Sequence, residues 1–459
     1  MYTSEKLANL LSMLDSVPAS ASEAARRSIL DTVSAAVAGL VTPGGKAGRE
    51  AAIDIWGQGP VPIWLTSART SVTGAAFANS VAASILDLDD GHRAAAGHPG
   101  ASIIPAVLAA VHENPALEAR APAAIAIGYE VGIRIAASRD LRRLDTVNSG
   151  RWCGQAVAAA VGWLKGLPPR VLAEAISIAG MVAPQMPVAE FTQVGNHVKE
   201  AIPHATANGF MSLSLAERGF AGPLDIFDDP RHFSAEALLS GFGESWLIET
   251  AYFKPYSCCR WIHAPIDGLV KIMADQKLSF QDISRIRVET FGKGVHTLNN
   301  QKAPKTLEAA QFSTPFCLGV TASRGPEALL PMTDPGLLKD HAALLIASLV
   351  EVVLDKEMDS YFSAAVPARI SVSCGDTVFT ETVMAPLGEP TNPMDWDMLF
   401  QKFHRLAYHQ MRPGAMVDMQ NALEQMRAGH LAPLLAELGH FQENCSAVFR
   451  PEMRKTKNL

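Results

Sequence analysis

Over the first 268 residues apolar positions recur at helical spacing. Ile29, Val33, Val37 and Leu40 fall on one stripe, and Ser20-Ala-Ser-Glu23 just before it has the form of a capping box. The opening segment MYTSEKLANLLSMLD reads as an amphipathic helix, with Glu5 and Lys6 where a signal peptide would need apolar residues. Similar periodicity predicts helices over 121–138, 154–164, 170–182, 206–218 and 264–274, and a helix end over 83–88. Alanine is dense throughout, and Gly128 and Gly132, four apart, mark a face where a neighbouring helix can pack closely.

The period changes after about residue 279. In 285–291, Ile286 and Val288 alternate with Arg285, Arg287 and Glu289, which is strand periodicity. Residues 368–374 and 377–383 alternate in the same way, with Gly375-Asp376 as a two-residue hairpin turn. A helix is predicted over 337–354, and helical patterning returns over 395–411 and 417–438. The pattern predicts two domains. A large all-α helical domain is formed from both ends of the chain, 1–268 and 393–459, and an α+β domain, 269–392, is inserted between them.

Composition narrows the function. The chain has 459 residues, 48% hydrophobic and 19% charged, with a net charge of −7. That balance is globular and carries no basic footprint for nucleic acid or an anionic membrane. The charge-free run 94–112 contains Gly97, Pro99, Gly100 and Pro105 and is not a membrane span. A soluble cytoplasmic protein is expected. The six cysteines are scattered without a C-x-x-C pair, so reduced, mostly buried thiols are expected. No dinucleotide fingerprint, phosphate loop, nucleophile elbow or H-E-x-x-H occurs.

What remains is clustered Asp, His, Lys and Arg, the equipment for proton transfer on an anionic substrate. The densest cluster is DLDDGHRAAAGHPGASIIP, 87–105, which sets Asp87, Asp89, Asp90, His92 and His98 against an apolar background. Such groups gather where a site uses perturbed pKa values. The same pattern also suits a solvated helix-end loop, or an oxygen-rich Mg²⁺ or Mn²⁺ site. A second cluster, His197, Lys199 and His204, precedes a helix and could bind carboxylates or form a polar linker. The third, Lys254-Pro-Tyr256-Ser-Cys-Cys-Arg260-Trp-Ile-His263, offers Arg260 for a bidentate grip on a carboxylate.

The order of these segments resembles the MmgE/PrpD family, which includes methylcitrate dehydratase, cis-aconitate decarboxylase and iminodisuccinate epimerase. The resemblance rests on Asp87-Leu-Asp-Asp, His98-Pro-Gly, Gly128-Tyr-Glu-Val-Gly-Ile-Arg134, Val198-Lys199, Lys254-Pro-Tyr, Cys259-Arg260, His263 and Ala310-Gln-Phe-Ser313. It implies a helical domain, an α+β lid over the active site and a homodimer that needs no metal or organic cofactor. It also implies active-site positions for Asp87, His98, Lys199, Lys254 and His263, and substrate contacts at Arg260, Tyr256, His204 and Gln311.

The chain departs from the family pattern in several places. Segment 150–154 reads GRWCG and lacks the histidine that some members carry near there. Cys259 stands about where the decarboxylase branch has a histidine, 187–198 is longer than in that branch, and His204 falls near a family glycine. The shared chemistry is removal of a proton next to a carboxylate of a di- or tricarboxylate, with Asp87, His98, Lys199 and His263 as candidate proton-transfer groups. The missing histidines favour epimerisation of an iminodisuccinate-like, aspartate-derived dicarboxylate. Dehydration of a methylcitrate-like tricarboxylate is the rival, and a metal-dependent hydratase or hydrolase a more distant one.

Overall fold

The computed structural model describes residues 1–141, 143–144, 147–186 and 192–440. The chain is mostly helical and packs around two main hydrophobic cores. The larger core draws on residues from Leu7 to Phe253 and again on Met394 to Leu438. The smaller draws on Cys258 to Val372. The chain therefore crosses between cores near 254–257 and returns near 386–393.

Helices at the centre of the larger core are apolar nearly all round. Gly100–Glu113, Ala121–Ala137 and Gly150–Leu164 bury almost every residue, as helices enclosed by other helices do. Glycine and alanine make the close approaches possible, as predicted for Gly128 and Gly132: a Cβ on Gly128 would fall 2.9 Å from Ala160 Cβ, and one on Gly132 2.7 Å from Ala156 Cβ. The helix Trp396–Ala407 returns to this core and packs on Ala19–Gly39. The smaller core carries a four-stranded sheet in the order Val350–Leu354, Arg285–Thr290, Ala368–Cys374, Thr377–Val383. The first pair is parallel, with Ile286 opposite Val350, and the other two are antiparallel.

Several local expectations change. Segment 337–354 is a short helix, His341–Ser348, followed by the strand Val350–Leu354. The apolar run supports either period, and the open edge beside Arg285–Thr290 selects the strand. Segment 417–438 is two helices, Pro413–Arg427 and Ala432–Gly439. The capping box at Ser20 does not form: the helix starts at Ala19, Ser20 bonds Glu249, and Glu23 accepts from Trp396. The helix leading to Asp87 ends at Ser84, because Asp87 itself is left-handed at φ 55°. The described cysteines are all free, with Cys153, Cys258 and Cys317 buried and Cys259 and Cys374 half-buried. Cys445 and 187–191 of the long 187–198 segment lie outside the described residues. Among the described residues no helix is long and apolar enough to cross a membrane.

Candidate active site

The loop after Ser84 turns back on itself and is tied down along its length. His92 N donates to Gly97 O, and Gly91 and Tyr252 exchange backbone hydrogen bonds. At the foot of the loop Asp90 accepts from Gly100 N and from the Tyr129 hydroxyl. Only glycine fits at position 100, since a Cβ there would lie 2.5 Å from Asp90 Oδ1. Burial and the nearby Asp31 push the Asp90 carboxyl up to about 7. His92 is held down at about 4, chiefly by burial, and bonds Thr250. These two groups brace the loop.

Asp87 and His98 face inward. Lys199 Nζ and Lys254 Nζ each stand 3.3 Å from Asp87 Oδ1, and Lys254 also donates to the Asp87 carbonyl. Burial alone would raise the Asp87 carboxyl, but the two ammonium groups overcome it and hold the group far below the carboxylate range. Lys254, fully buried, is held above the usual lysine value by Asp87 and Asp89 against the opposing effect of burial. Lys199 donates to Gln311 Oε1 at 3.0 Å and lies over the Phe312 ring.

His98 sits between carboxylates. Its Nδ1 is 3.1 Å from Asp89 Oδ2, within ion-pair distance but off the line of a hydrogen bond. Its Nε2 is 3.8 Å from both Asp87 Oδ1 and Glu200 Oε1. Burial and Lys254 lower the imidazolium's pKa, Asp89 and Glu200 raise it, and the net shift is upward.

Sequence reasoning missed Glu200. Lys199, Glu200 and Ala201 are three consecutive left-handed residues, at φ 45°, 56° and 57°. Each costs roughly 1–2 kcal/mol, and the turn sends Lys199 to Asp87 and Glu200 to His98. Glu200 Oε2 accepts from Ser149 N at 2.9 Å and from Ser149 Oγ at 2.7 Å, while Ser149 Oγ accepts from His98 N. No sequence spacing announces such a turn.

The third cluster is a wall. Arg260 donates to Glu389 Oε1 through Nε and Nη2, and to the carbonyls of Pro386 and Leu387. The fork offered to a substrate carboxylate is thus spent on protein acceptors. Arg93 reaches Glu389 from the other side through Nε at 3.1 Å. His263 accepts from Arg260 at Nδ1 and donates to Cys258 O through Nε2, which assigns its tautomer. Burial, then Arg260 and Lys254, hold it well below the usual histidine value. Tyr256 donates to Asp267, behind this wall. His204 is exposed with its ring against Phe77, and His197 pairs with Glu308.

A cavity of about 50 Å³ opens at the seam of the two cores. Arg93, His98, Glu200 and Tyr252 line it from one side, and Cys259, Arg260, Trp261 and Phe312 from the other. Of the predicted residues, His98 and Arg260 line the cavity. Asp87, Lys199, Lys254 and Gln311 lie directly behind, while His263 and Tyr256 sit deeper.

Asp87, Asp89 and His98 could also present ligand atoms to a metal ion, all within 4.8 Å of one another. The fit is poor. Two ammonium groups already neutralise Asp87, and a divalent cation would have to displace or adjoin both of them.

Comparison with known proteins matches the chain to one family in two segments. Residues 6–242 match the MmgE/PrpD N-terminal domain and residues 256–424 the MmgE/PrpD C-terminal domain. The cis-aconitate decarboxylase of Aspergillus terreus (strain NIH 2624 / FGSC A1156) is 25% identical over 428 residues, covering 86% of each chain. A second Aspergillus terreus sequence of that name is 24% identical with the same coverage. With both domain matches spanning most of its length, the chain belongs to the MmgE/PrpD family and is an enzyme.

Proposed function

We propose that the protein abstracts the proton α to a carboxylate of a small polycarboxylate, using side chains alone, and that its reaction is epimerisation of an iminodisuccinate-like substrate. One observation carries the reading: His98 presents Nε2 to the cavity from between carboxylates, with the Asp87–Lys199–Lys254 cluster immediately behind it. An α-carbon acid is weak, so the developing enediolate charge needs nearby cations. Lys254 supplies that field. His98 and Lys199 are the two proton-transfer groups, Lys199 in its neutral form taking the α-proton and the His98 imidazolium returning one to the opposite face, since His263 has both ring nitrogens engaged and Asp87 is too weak a base. Arg260 holds the wall and adds positive charge. Gln311 serves the substrate indirectly by orienting Lys199, whereas Tyr256, bonded to Asp267, and His204, exposed against Phe77, are not among the residues that line the cavity.

The part of the chain built on the smaller core, which starts at Cys258 and not at the expected 269, acts as a lid on a helical domain formed from both ends of the chain, a reading supported by the cavity's position at the seam of the cores. The enzyme works as a cytoplasmic homodimer.

The relatives favour a second reading. Both Aspergillus proteins are decarboxylases, so a lyase or dehydratase acting on a citrate-like acid is the alternative. Incubation in D₂O separates the two. Epimerisation places solvent deuterium at the α-carbon of the inverted iminodisuccinate and forms no alkene. Collapse of the 2-methylcitrate methyl doublet to the singlet of a methyl on an alkene carbon, with iminodisuccinate untouched, would replace this reading with the alternative.

A further inference from the structure

The cations around the cavity form two groups of three charges. Asp87 is shared by Lys199 and Lys254, and Glu389 by Arg93 and Arg260. The second group keeps one positive charge, and the first, with Asp89 also beside Lys254 and His98, keeps one when His98 is protonated, which suits an anionic ligand. A carboxylate on the cavity wall between them would repel such a ligand, yet Glu200 is there. It is held in place deliberately: Ser149 fixes Oε2 with two hydrogen bonds, and three successive left-handed residues carry the backbone. Its other oxygen, Oε1, has His98 Nε2 at 3.8 Å, too far for a hydrogen bond. That oxygen is an acceptor facing the space where substrate must lie.

We propose that Glu200 is a specificity residue whose Oε1 accepts a hydrogen bond from a cationic nitrogen of the substrate, so that the site selects amino polycarboxylates over their nitrogen-free counterparts. This rests on the reading that polycarboxylates occupy the cavity. Iminodisuccinate fits the requirement, because its two succinate units are joined through a secondary amine that is an ammonium at neutral pH. A citrate-type acid offers no such donor, and Glu200 would stand against it unpaired. A site with a buried acceptor rejects a ligand that lacks the matching N–H.

The test compares binding of iminodisuccinate with binding of oxydisuccinate, in which an ether oxygen replaces the nitrogen, by calorimetry on wild type and Glu200→Gln. Wild type should prefer the amine by about 10–100-fold, the range of a charge-assisted hydrogen bond. In Glu200→Gln the amide oxygen can keep the Ser149 bonds while the NH₂ group faces the cavity. The amine should then lose that advantage and the ether should bind at least as well as to wild type.

No preference in wild type, an unchanged preference in the variant, or equal loss of both ligands would overturn the proposal. If Glu200→Gln melts below wild type, Ser149→Ala supplies the second measurement. It should reduce the amine preference several-fold while ether affinity persists, and an unchanged preference counts against the proposal. Deuterium exchange in wild type is scored separately. Glu200-dependent amine binding without exchange would remove the epimerase reading alone, and exchange without amine preference would remove this inference alone.

Discussion

At the scale of the residue, the site turns on which charges surround His98. Asp89 and Glu200 raise its pKa above 6.5, while burial and Lys254 oppose them. A histidine that must donate its proton gives an alkaline limb in kcat/KM, and here that limb should lie above pH 6.5. Asp89→Asn removes a charge 3.1 Å from Nδ1, so the alkaline limb should move to lower pH. Loss of rate without movement of the limb would mean that Asp89 acts on packing alone. The same sign governs stability: the contribution of the His98–carboxylate contacts is fully present below pH 6.5 and is lost as pH rises through the raised folded value. Residue-scale chemistry was partly legible. Asp87, His98, Lys199 and Lys254 stand together as the clusters suggested, because ionisable side chains in apolar sequence have few other places to go. Glu389 was not legible, since it meets Arg93 from 296 residues away.

At the scale of the element, a helix from the far end of the chain supports the loop that carries Asp87 and His98. Lys402, on Trp396–Ala407, is fully buried. It bonds Asp31 of Ala19–Gly39 at 2.6 Å and the Leu88 carbonyl at 2.7 Å. Removing one member of a buried ion pair leaves a charge without a partner, so Lys402→Met should destabilise the protein by roughly 3–5 kcal/mol. Adding Asp31→Asn should recover part of that loss, and thermal melts of the single and double variants measure it. Additive losses would show that the two residues do not act as a pair. The helices themselves were readable because their apolar stripes are long. Val350–Leu354 was misread as helix because a short apolar run takes its period from its neighbours, and its partner strand lies far upstream, with Leu354 opposite Thr290 and Val350 opposite Ile286.

At the scale of the whole molecule, the two cores meet through crossings that also form the site. The outward crossing carries Lys254 and leads to Arg260. The return crossing carries Glu389, which draws Arg93 from the larger core and Arg260 from the start of the smaller one onto a single carboxylate. The crossings touch where Phe253 N donates to Gly388 O. Gly388 is left-handed at φ 97°, and a Cβ there would fall 1.9 Å from the Phe253 carbonyl oxygen. Backbone cannot yield as a flexible side chain would, so Gly388→Ala has to push the crossings apart. Glu389 would then leave its two arginines, and Lys254, next to Phe253, would shift against Asp87. The expected outcome is a loss of kcat/KM of at least ~10-fold with a lowered melting temperature. Gly375→Ala, at a left-handed hairpin turn with open space around it, is the control for backbone strain alone. It should cost stability of about 1 kcal/mol and leave turnover near wild type. Equal kinetics in the two variants would show that the meeting of the crossings does not position the site.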